Sequence, residues 1–282
     1  VPEDDVEGAR WYHRAAAQGD VAAQVKLGGM YEGGYGVVQD VEQATAWYWR
    51  AARQRGGDAA VNWFLQAADR GSAEAQTTLG VLYAEGRGVS HDDAEGVRWY
   101  RLAAEQGDVA AQVNLGAMYA AGRGVVEDEN AAAEWYRRAA ERGDVEALAW
   151  LRETAERGSA EAQVALGDLY TNGRDIVPDE DAAVEWYRRA AEQGHIEAQL
   201  MLASRYAAGR GVAEDDVEAV GWYRRAAEQG SVAAQYALGD IFAEGYGVPE
   251  DDAEGVRWYR LAAAQGDVAA QVNLGVVYEA GG

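Results

Sequence analysis

Apolar residues recur along this chain at helical spacings, in a pattern that changes phase twice within each unit of about 36 residues. Between residues 108 and 143, one stripe at spacings of three and four is formed by Ala111, Gln112, Leu115, Gly116 and Tyr119. A second stripe comprises Ala132, Trp135, Tyr136 and Ala139. Each stripe predicts an amphipathic α-helix, and the segment "AAGRGVVED" between them predicts a turn. We call the two helices A and B.

Polar and glycine residues mark where these helices begin and end. Asp108 is a typical N-cap for helix A and Asp128 for helix B, while Gly143 predicts the end of helix B. Ser72, Ser159 and Ser231 stand in the place of Asp108 elsewhere. Each unit is therefore expected to be a pair of antiparallel helices.

The unit repeats along the whole chain. Tryptophans spaced 36 apart form three series, which comprise Trp11 and Trp47; Trp63, Trp99 and Trp135; and Trp150, Trp186, Trp222 and Trp258. A Leu-Gly pair recurs with them, at residues 27, 79, 115, 166, 238 and 274. A single helix pair cannot bury its apolar faces, so neighbouring units must cover them. The pattern predicts an all-α fold, a right-handed α/α superhelical solenoid that forms a single repeat array over residues 1–282.

Two intervals are shorter, because Trp47 and Trp63 lie 16 apart and Trp135 and Trp150 lie 15 apart. These segments lack the turn between the helices, which predicts single-helix units near residues 51–70 and 139–157. The two chain ends read as half-repeats. Residues 1–8 match 248–255, which open a helix B, and residues 267–282 read as a helix A.

The motif "AAQVNLGAMYAAGRGV", followed ten residues later by "WYRRAA", resembles the Sel1-like repeat, a relative of the tetratricopeptide repeat. The resemblance covers essentially the whole chain. Local departures are Ala203, in place of the helix A glycine, and Asp175, in place of a turn glycine. The resemblance implies an adaptor that holds other proteins together. It also favours a bacterial periplasm or envelope location over the cytoplasm, because many bacterial members act there.

Composition narrows the range of partners. The chain has 48 acidic against 25 basic residues and a net charge of −23, which disfavours nucleic acid and anionic lipid. No apolar stretch reaches the ~20 residues of a membrane-spanning helix, so direct membrane insertion is not expected. With no cysteine, thiolate chemistry is excluded.

Motifs that suggest chemistry have simpler interpretations. The Gly-Arg-Gly segments at 86–88, 122–124 and 209–211 join two helices at the repeat period, so they are turns rather than phosphate loops. The acidic runs, such as "VPEDD" at Val248, lack the glycine and distal glutamate of a calcium loop. His13, His91 and His195 do not share a metal-ligand spacing. We expect no catalytic activity, no cofactor and no metal.

A partner would bind where helix A leaves non-core positions free, if helix A lines the inner face of the solenoid. The residue after each repeated glutamine is mostly apolar, and acidic residues lie further along the helix. The predicted groove residues are Val113, Val164, Asp168, Leu200, Tyr236, Asp240 and Glu244. Such a groove favours an apolar and basic protein segment, although the loops or the convex face remain alternatives.

Two functions follow from these patterns. The first is a non-catalytic scaffold or adaptor that binds a partner segment along the helix A groove. The alternative is a structural module that self-assembles head to tail through its half-repeat ends. In that case Leu274, Val277 and Tyr278 would contact residues like Trp11, Tyr12 and Ala15, within one chain or between chains. The end segments also fit a piece of a longer repeat array.

Overall fold

The structure, a computed structural model, describes residues 3–172 and 177–280. Within these ranges the chain forms sixteen α-helices and no strand, which confirms the all-helical class. The helices are α1 Glu3–Ala17, α2 Val21–Gly33, α3 Val41–Ala52, α4 Asp58–Asp69, α5 Ala73–Glu85, α6 Asp93–Glu105, α7 Val109–Ala120, α8 Glu129–Ala140, α9 Val145–Glu156, α10 Ala160–Asn172, α11 Glu180–Glu192, α12 Ile196–Ala208, α13 Asp216–Glu228, α14 Val232–Glu244, α15 Asp252–Ala264 and α16 Val268–Ala280.

The chain divides into two compact units, Val1–Trp135 and Tyr136–Gly282. In unit 1, helices α2, α5 and α7 are A helices, and α3 and α6 are the B helices that follow the first two. In unit 2, helices α10, α12 and α14 are each followed by a B helix, namely α11, α13 and α15. No described helix is long and apolar enough to cross a membrane.

The predicted caps are present at the helix ends. The Asp108 carboxylate accepts the Ala111 backbone N–H at 2.8 Å, and Asp128 accepts that of Ala131 at 2.9 Å. Ser72, Ser159 and Ser231 accept in the same way at the starts of α5, α10 and α14. Each cap satisfies a backbone donor that has no partner within the helix. Gly143, with φ 86°, follows α8 as predicted.

The two shortened units each contain one helix, α4 and α9. These helices begin at Asp58 and Val145, later than the predicted limits of 51 and 139. The reason is that residues 51–52 complete α3 and residues 139–140 complete α8. Helices α3 and α8, which precede the shortened units, keep their full length. Each shortened unit is therefore one helix inserted between complete helix pairs.

The repeated Leu-Gly pair fixes how closely helices A and B approach. Leu79, Leu166 and Leu238 are fully buried. The glycine after each leucine lies under the tyrosine ring of the following helix B. A methyl carbon at Gly80, Gly167 or Gly239 would lie 2.4–2.6 Å from that ring. Glycine is therefore required by close packing at these positions, rather than by an unusual backbone conformation.

A repeated glutamine connects successive helices in both units. The Gln76 side-chain Nε2 donates to the Ala68 carbonyl of the preceding helix at 3.1 Å. Its Oε1 accepts from Nε2 of Gln106, after the following helix B, at 2.7 Å. The same two bonds form at Gln24, Gln163, Gln199 and Gln235. Because these amides are buried, the bonds offset a desolvation cost and hold neighbouring helices in register.

The first and last helices each expose one apolar side. Trp11 on α1 is 60% exposed, whereas Trp47, its counterpart on α3, is 5% exposed. On α16, Val276 and Tyr278 are likewise exposed. Contact between these two helices, in one chain or between chains, stays a prediction.

Candidate functional site

Helices α12 and α14, two of the A helices of unit 2, each have one side whose residues are exposed or half-buried. On α12 the buried side comprises Ala198, Gln199, Leu202, Ala203 and Arg205. The opposite side forms what we call the helix A face. It consists of Glu197, Met201, Ser204 and Ala208 on α12, and of Ala233, Ala237, Asp240 and Glu244 on α14. Helical periodicity places these residues one turn apart along one side of each helix.

The apolar half of the predicted groove does not lie on this face. Val164 is only 4% exposed and belongs to a buried cluster with Leu202 and Tyr187, so its assignment as a surface residue is wrong. Leu200 packs against a cluster that contains Leu238. Tyr236 packs against Tyr259, with 5.9 Å between ring centroids. The position after the repeated glutamine thus faces neighbouring helices at residues 164, 200 and 236, whereas Val272 on α16 is exposed. Val113 is half-buried.

The acidic half of the predicted groove is on the surface, but two of its members are already hydrogen-bonded. The Tyr187 hydroxyl donates to Asp168 at 2.7 Å, and the Tyr259 hydroxyl donates to Asp240 at 2.6 Å. Burial, followed by these bonds, raises the pKa of both phenols above the usual value. Asp168 and Asp240 therefore hold helix B against helix A, while Glu244 is exposed at the end of α14.

A cleft of about 330 Å³ opens beside the helix A face, where α12, α13 and α14 meet. Its lining residues are Ala207, Asp216, Ala219, Val220, Tyr223, Ala237, Asp240, Ile241 and Tyr246. The walls are mostly apolar, and the two charged groups among these residues are carboxylates. The local field therefore favours a cation with an apolar stem and opposes an anion.

Of the residues that line this cleft, only Asp240 was among the predicted groove residues. Asp216 opens α13 and Tyr246 lies in the turn after α14. Asp216 is an ordinary helix-start residue, and the stacking of successive repeats brings it together with Tyr246. The available signal was the replacement of the turn arginine by Tyr246.

His195 and His13 have structural roles, whereas His91 is exposed, with its Nε2 3.5 Å from an Asp93 oxygen. His195 caps α12, with its Nδ1 accepting the Ala198 backbone N–H at 3.3 Å and its Nε2 3.0 Å from a Glu161 oxygen. His13 packs edge-on against Trp47. No group of three or more potential metal ligands occurs among the described residues. Asp175 lies outside these residues.

The turns between helices A and B also have a structural explanation. Gly86 and Gly88 have φ values of 64° and 70°, a region that favours glycine. Gly86 follows α5 as its C-cap and accommodates the chain reversal. These glycines are turn residues, in agreement with the sequence interpretation.

Comparison with protein families gives nine consecutive matches to the Sel1 repeat. They cover residues 1–20, 21–56, 57–72, 73–108, 109–144, 145–159, 160–195, 196–231 and 232–267. The chain belongs to the Sel1 repeat family. The two shortest internal matches, 57–72 and 145–159, contain the single helices α4 and α9. Sel1 repeat proteins generally mediate protein–protein interactions and generally lack catalytic activity.

Individual proteins match this chain at moderate identity. One is c5321, a protective antigen present in uropathogenic Escherichia coli strains, with 33% identity over 97% of this chain and a TM-score of 0.45. Another is a Sel1 repeat protein from Oxalobacter formigenes, with 31% identity, 96% of this chain and 80% of that chain covered, and a TM-score of 0.44. Chitin synthase regulatory factor 3 of Schizosaccharomyces pombe is 43% identical over 54 residues, 19% of this chain. The matches span 60% of c5321 and 6% of the yeast protein.

Proposed function

We propose that this Sel1 repeat protein is a non-catalytic scaffold that binds a basic, partly apolar segment of a protein partner along the helix A face of unit 2. The observation that carries the proposal is the open cleft beside Asp240, whose walls are apolar and whose charged groups are acidic. Its charge has the same sign as the net charge of −23. The negative charge of the whole chain and the carboxylates of the cleft therefore both favour a basic partner.

The helix A face also offers contact area outside the cleft. Met201 is exposed on α12 and can adapt to different apolar groups because its side chain is flexible. Glu197 and Glu244 are exposed toward opposite ends of the face. An extended or helical segment with basic residues spaced along it would meet carboxylates at both ends.

The proposal is tested by reversing charge on this face without touching the core. A partner is first captured from the source lysate and purified, and its binding rates are then measured at low and high salt. Glu197→Arg combined with Glu244→Arg is expected to lower the association rate roughly tenfold at low salt, and less at high salt. These exposed sites are better than Asp168 or Asp240, whose replacement would also break a bond to a buried tyrosine.

The matched control is Glu192→Arg combined with Glu228→Arg. Both residues end B helices, are exposed and give the same change in net charge. If the control slows association as much as the helix A variant does, the partner is attracted by net charge alone or binds the B helices. That result would rule out the helix A face as the binding surface.

A second candidate is self-association through α1 and α16. Inside unit 2, Leu238 and Phe242 of α14 share a buried cluster with Trp258 of α15. The exposed residues Tyr278 and Trp11 occupy the positions that correspond to Phe242 and Trp258. Growth of particle mass with concentration in light scattering would favour this assembly, and a constant monomer mass would favour the scaffold alone.

A further inference from the structure

The cleft has equivalent positions in other repeats of this chain. At two of them an arginine of the chain itself pairs with a carboxylate. In unit 1, the Arg123 guanidinium extends back from the turn after α7. Its Nη2 donates to the Asp93 carboxylate at 2.6 Å and to the Ala84 carbonyl at 3.1 Å. Asp93 opens the preceding helix B, and Ala84 lies near the end of the helix A before it. An arginine whose side chain is half exposed thus bridges successive helix pairs.

Unit 2 contains the second example, in the repeat before the cleft. Arg205 on α12 pairs with the carboxylate of Glu180, which opens α11. Its Nη2 donates to the Thr171 hydroxyl at 2.5 Å, and the guanidinium lies 5.1 Å from the centre of the Tyr187 ring. Arg205 comes from a different position in the repeat than Arg123. The two arginines nonetheless reach the same carboxylate position.

The cleft has the same framework but no arginine. Ala207 and Asp216 stand 123 residues after Ala84 and Asp93, and 36 residues after Thr171 and Glu180. The residues that correspond to Arg123 and Arg205 are Tyr246 and Ile241, which line the cleft as uncharged side chains.

Asp216 is half-buried and forms no ion pair or side-chain hydrogen bond with any described residue. Its counterparts Asp93 and Glu180 are both paired with a guanidinium. The cleft is therefore an acid-lined space at a position that elsewhere in this chain is occupied by an arginine side chain.

A substitution in the core explains why an aromatic ring is available there. Ala203 stands where Gly167 and Gly239 allow the next tyrosine ring to lie against the helix. Tyr187 and Tyr259 are almost fully buried, whereas Tyr223, which follows Ala203, is half-buried and lines the cleft. The extra methyl group accounts for the more open position of the Tyr223 ring, since a carbon at the glycine sites would meet the ring at less than 3 Å.

We infer that the cleft between α12, α13 and α14 binds the guanidinium group of an arginine from a protein partner, in the place that Arg123 and Arg205 take elsewhere. Asp216 would accept two N–H bonds, the Ala207 carbonyl a third, and the Tyr223 ring would lie beside the cation. A planar guanidinium matches this set better than a lysine ammonium does. This inference rests on the proposed scaffold function, to which it adds the residue that is recognised.

The first experiment uses the purified chain and a small probe, so it does not depend on a partner. Nα-acetyl-arginine methylamide is titrated at low salt while backbone amide NMR shifts are followed. We expect shifts centred on residues 207, 216, 223 and 246, weaker binding of the lysine analogue, and none of the neutral citrulline analogue. Asp216→Asn should weaken binding about tenfold, because it removes a charge-assisted pair.

Two substitutions use the chain's own arginines as a guide. Tyr246→Arg should pair with Asp216 as Arg123 pairs with Asp93, and abolish probe binding. Arg123→Tyr should open a second probe site beside Asp93 in unit 1. The matched control is Asp252→Asn, because Asp252 occupies the position of Asp216 on α15 but does not line the cleft. It should leave probe binding unchanged.

Equal binding of the citrulline analogue, or full binding to Asp216→Asn, would overturn the inference. Once a partner is known, its affinity for Tyr246→Arg separates the two proposals. If the partner binds this variant as tightly as the unmodified chain, the scaffold stands and the arginine site is wrong. If the probe binds as expected but no protein partner exists, the guanidinium site stands and the scaffold proposal fails.

Discussion

Replacing Gly239 with alanine is expected to loosen the contact between α14 and α15 without unfolding the protein. The added carbon would lie 2.4 Å from both Cδ1 and Cε1 of Tyr259, whereas carbon atoms normally approach to about 3.5–4.0 Å. The ring must therefore move by about 1 Å. Tyr259 is 4% exposed and its hydroxyl is bonded to Asp240, so this movement disturbs both packing and a hydrogen bond.

The size of the effect follows from three contributions. Overpacking costs about 1–3 kcal/mol, and weakening the bond between Tyr259 and Asp240 costs about 1 kcal/mol more. Alanine in a helix returns about 1 kcal/mol relative to glycine. The net loss is about 1–3 kcal/mol. The chain tolerates alanine at the corresponding position 203, which supports a folded but locally looser variant.

Gly275→Ala is the matched control, because Gly275 occupies the same position on α16 and a carbon there meets nothing within 4 Å. It should stabilise α16 by up to about 1 kcal/mol. Hydrogen exchange read by mass spectrometry is the suitable assay, since coupling in repeat proteins passes between neighbours and unfolding need not be two-state. Exchange should speed up in α14 and α15 for Gly239→Ala and slow down in α16 for Gly275→Ala. Equal effects of the two substitutions would refute the packing argument.

Two further predictions concern buried polar groups. Gln199→Leu should cost about 2 kcal/mol, because it leaves the buried Ala191 carbonyl without a donor and removes the bond from Gln229, which keeps only its bond to the Arg225 carbonyl. Gln271→Leu should cost little, because that residue is exposed. Chemical denaturation compares the two variants, and equal losses would contradict the role of burial. Burial, followed by the nearby Glu32 carboxylate, raises the pKa of Tyr48 to about 12. The stability that comes from keeping this phenol neutral is fully present below the ordinary pKa of about 10 and is lost as the pH rises toward 12. The urea midpoint of unfolding should therefore fall across that pH range. Tyr48→Phe should make this fall smaller.

Much of the fold was accessible from sequence because its determinants are local. Asp108 and Ser72 are caps that act within their own helix turn, and a repeated Leu-Gly pair signals a close helix contact without any knowledge of the partner helix. The limits of the single-helix units were less accurate. The chain there lacks the long turn that separates helices A and B, so the predicted segments also took in the last residues of α3 and α8, even though Gly143 correctly predicted the end of α8.

The surface was harder to predict, because helix periodicity identifies the side of a helix that faces the core. It does not show which of the other positions pack against an adjacent helix and which face solvent. Val164 is not in the Leu-Gly stripe, yet it is buried in a cluster that includes α12 and α11 residues. The cleft required the proximity of Ala207, Asp216 and Tyr246, which belong to two successive repeats. Comparing each repeat with its counterparts, and asking which charged residue lost its partner, would have located it.

The glutamine bonds across repeat boundaries have a consequence for how such a chain can change length. Gln112 donates to the Ala104 carbonyl at the end of a complete helix pair, and Gln76 donates to the Ala68 carbonyl at the end of the lone helix α4. In both cases the preceding segment contributes only a main-chain carbonyl oxygen as the acceptor. Every amino acid has this oxygen, whatever its side chain. Gene duplication or deletion can therefore add or remove a pair or a single helix and still leave the next glutamine an acceptor. This tolerance gives a physical reason why complete helix pairs and the single helices α4 and α9 occur in one chain.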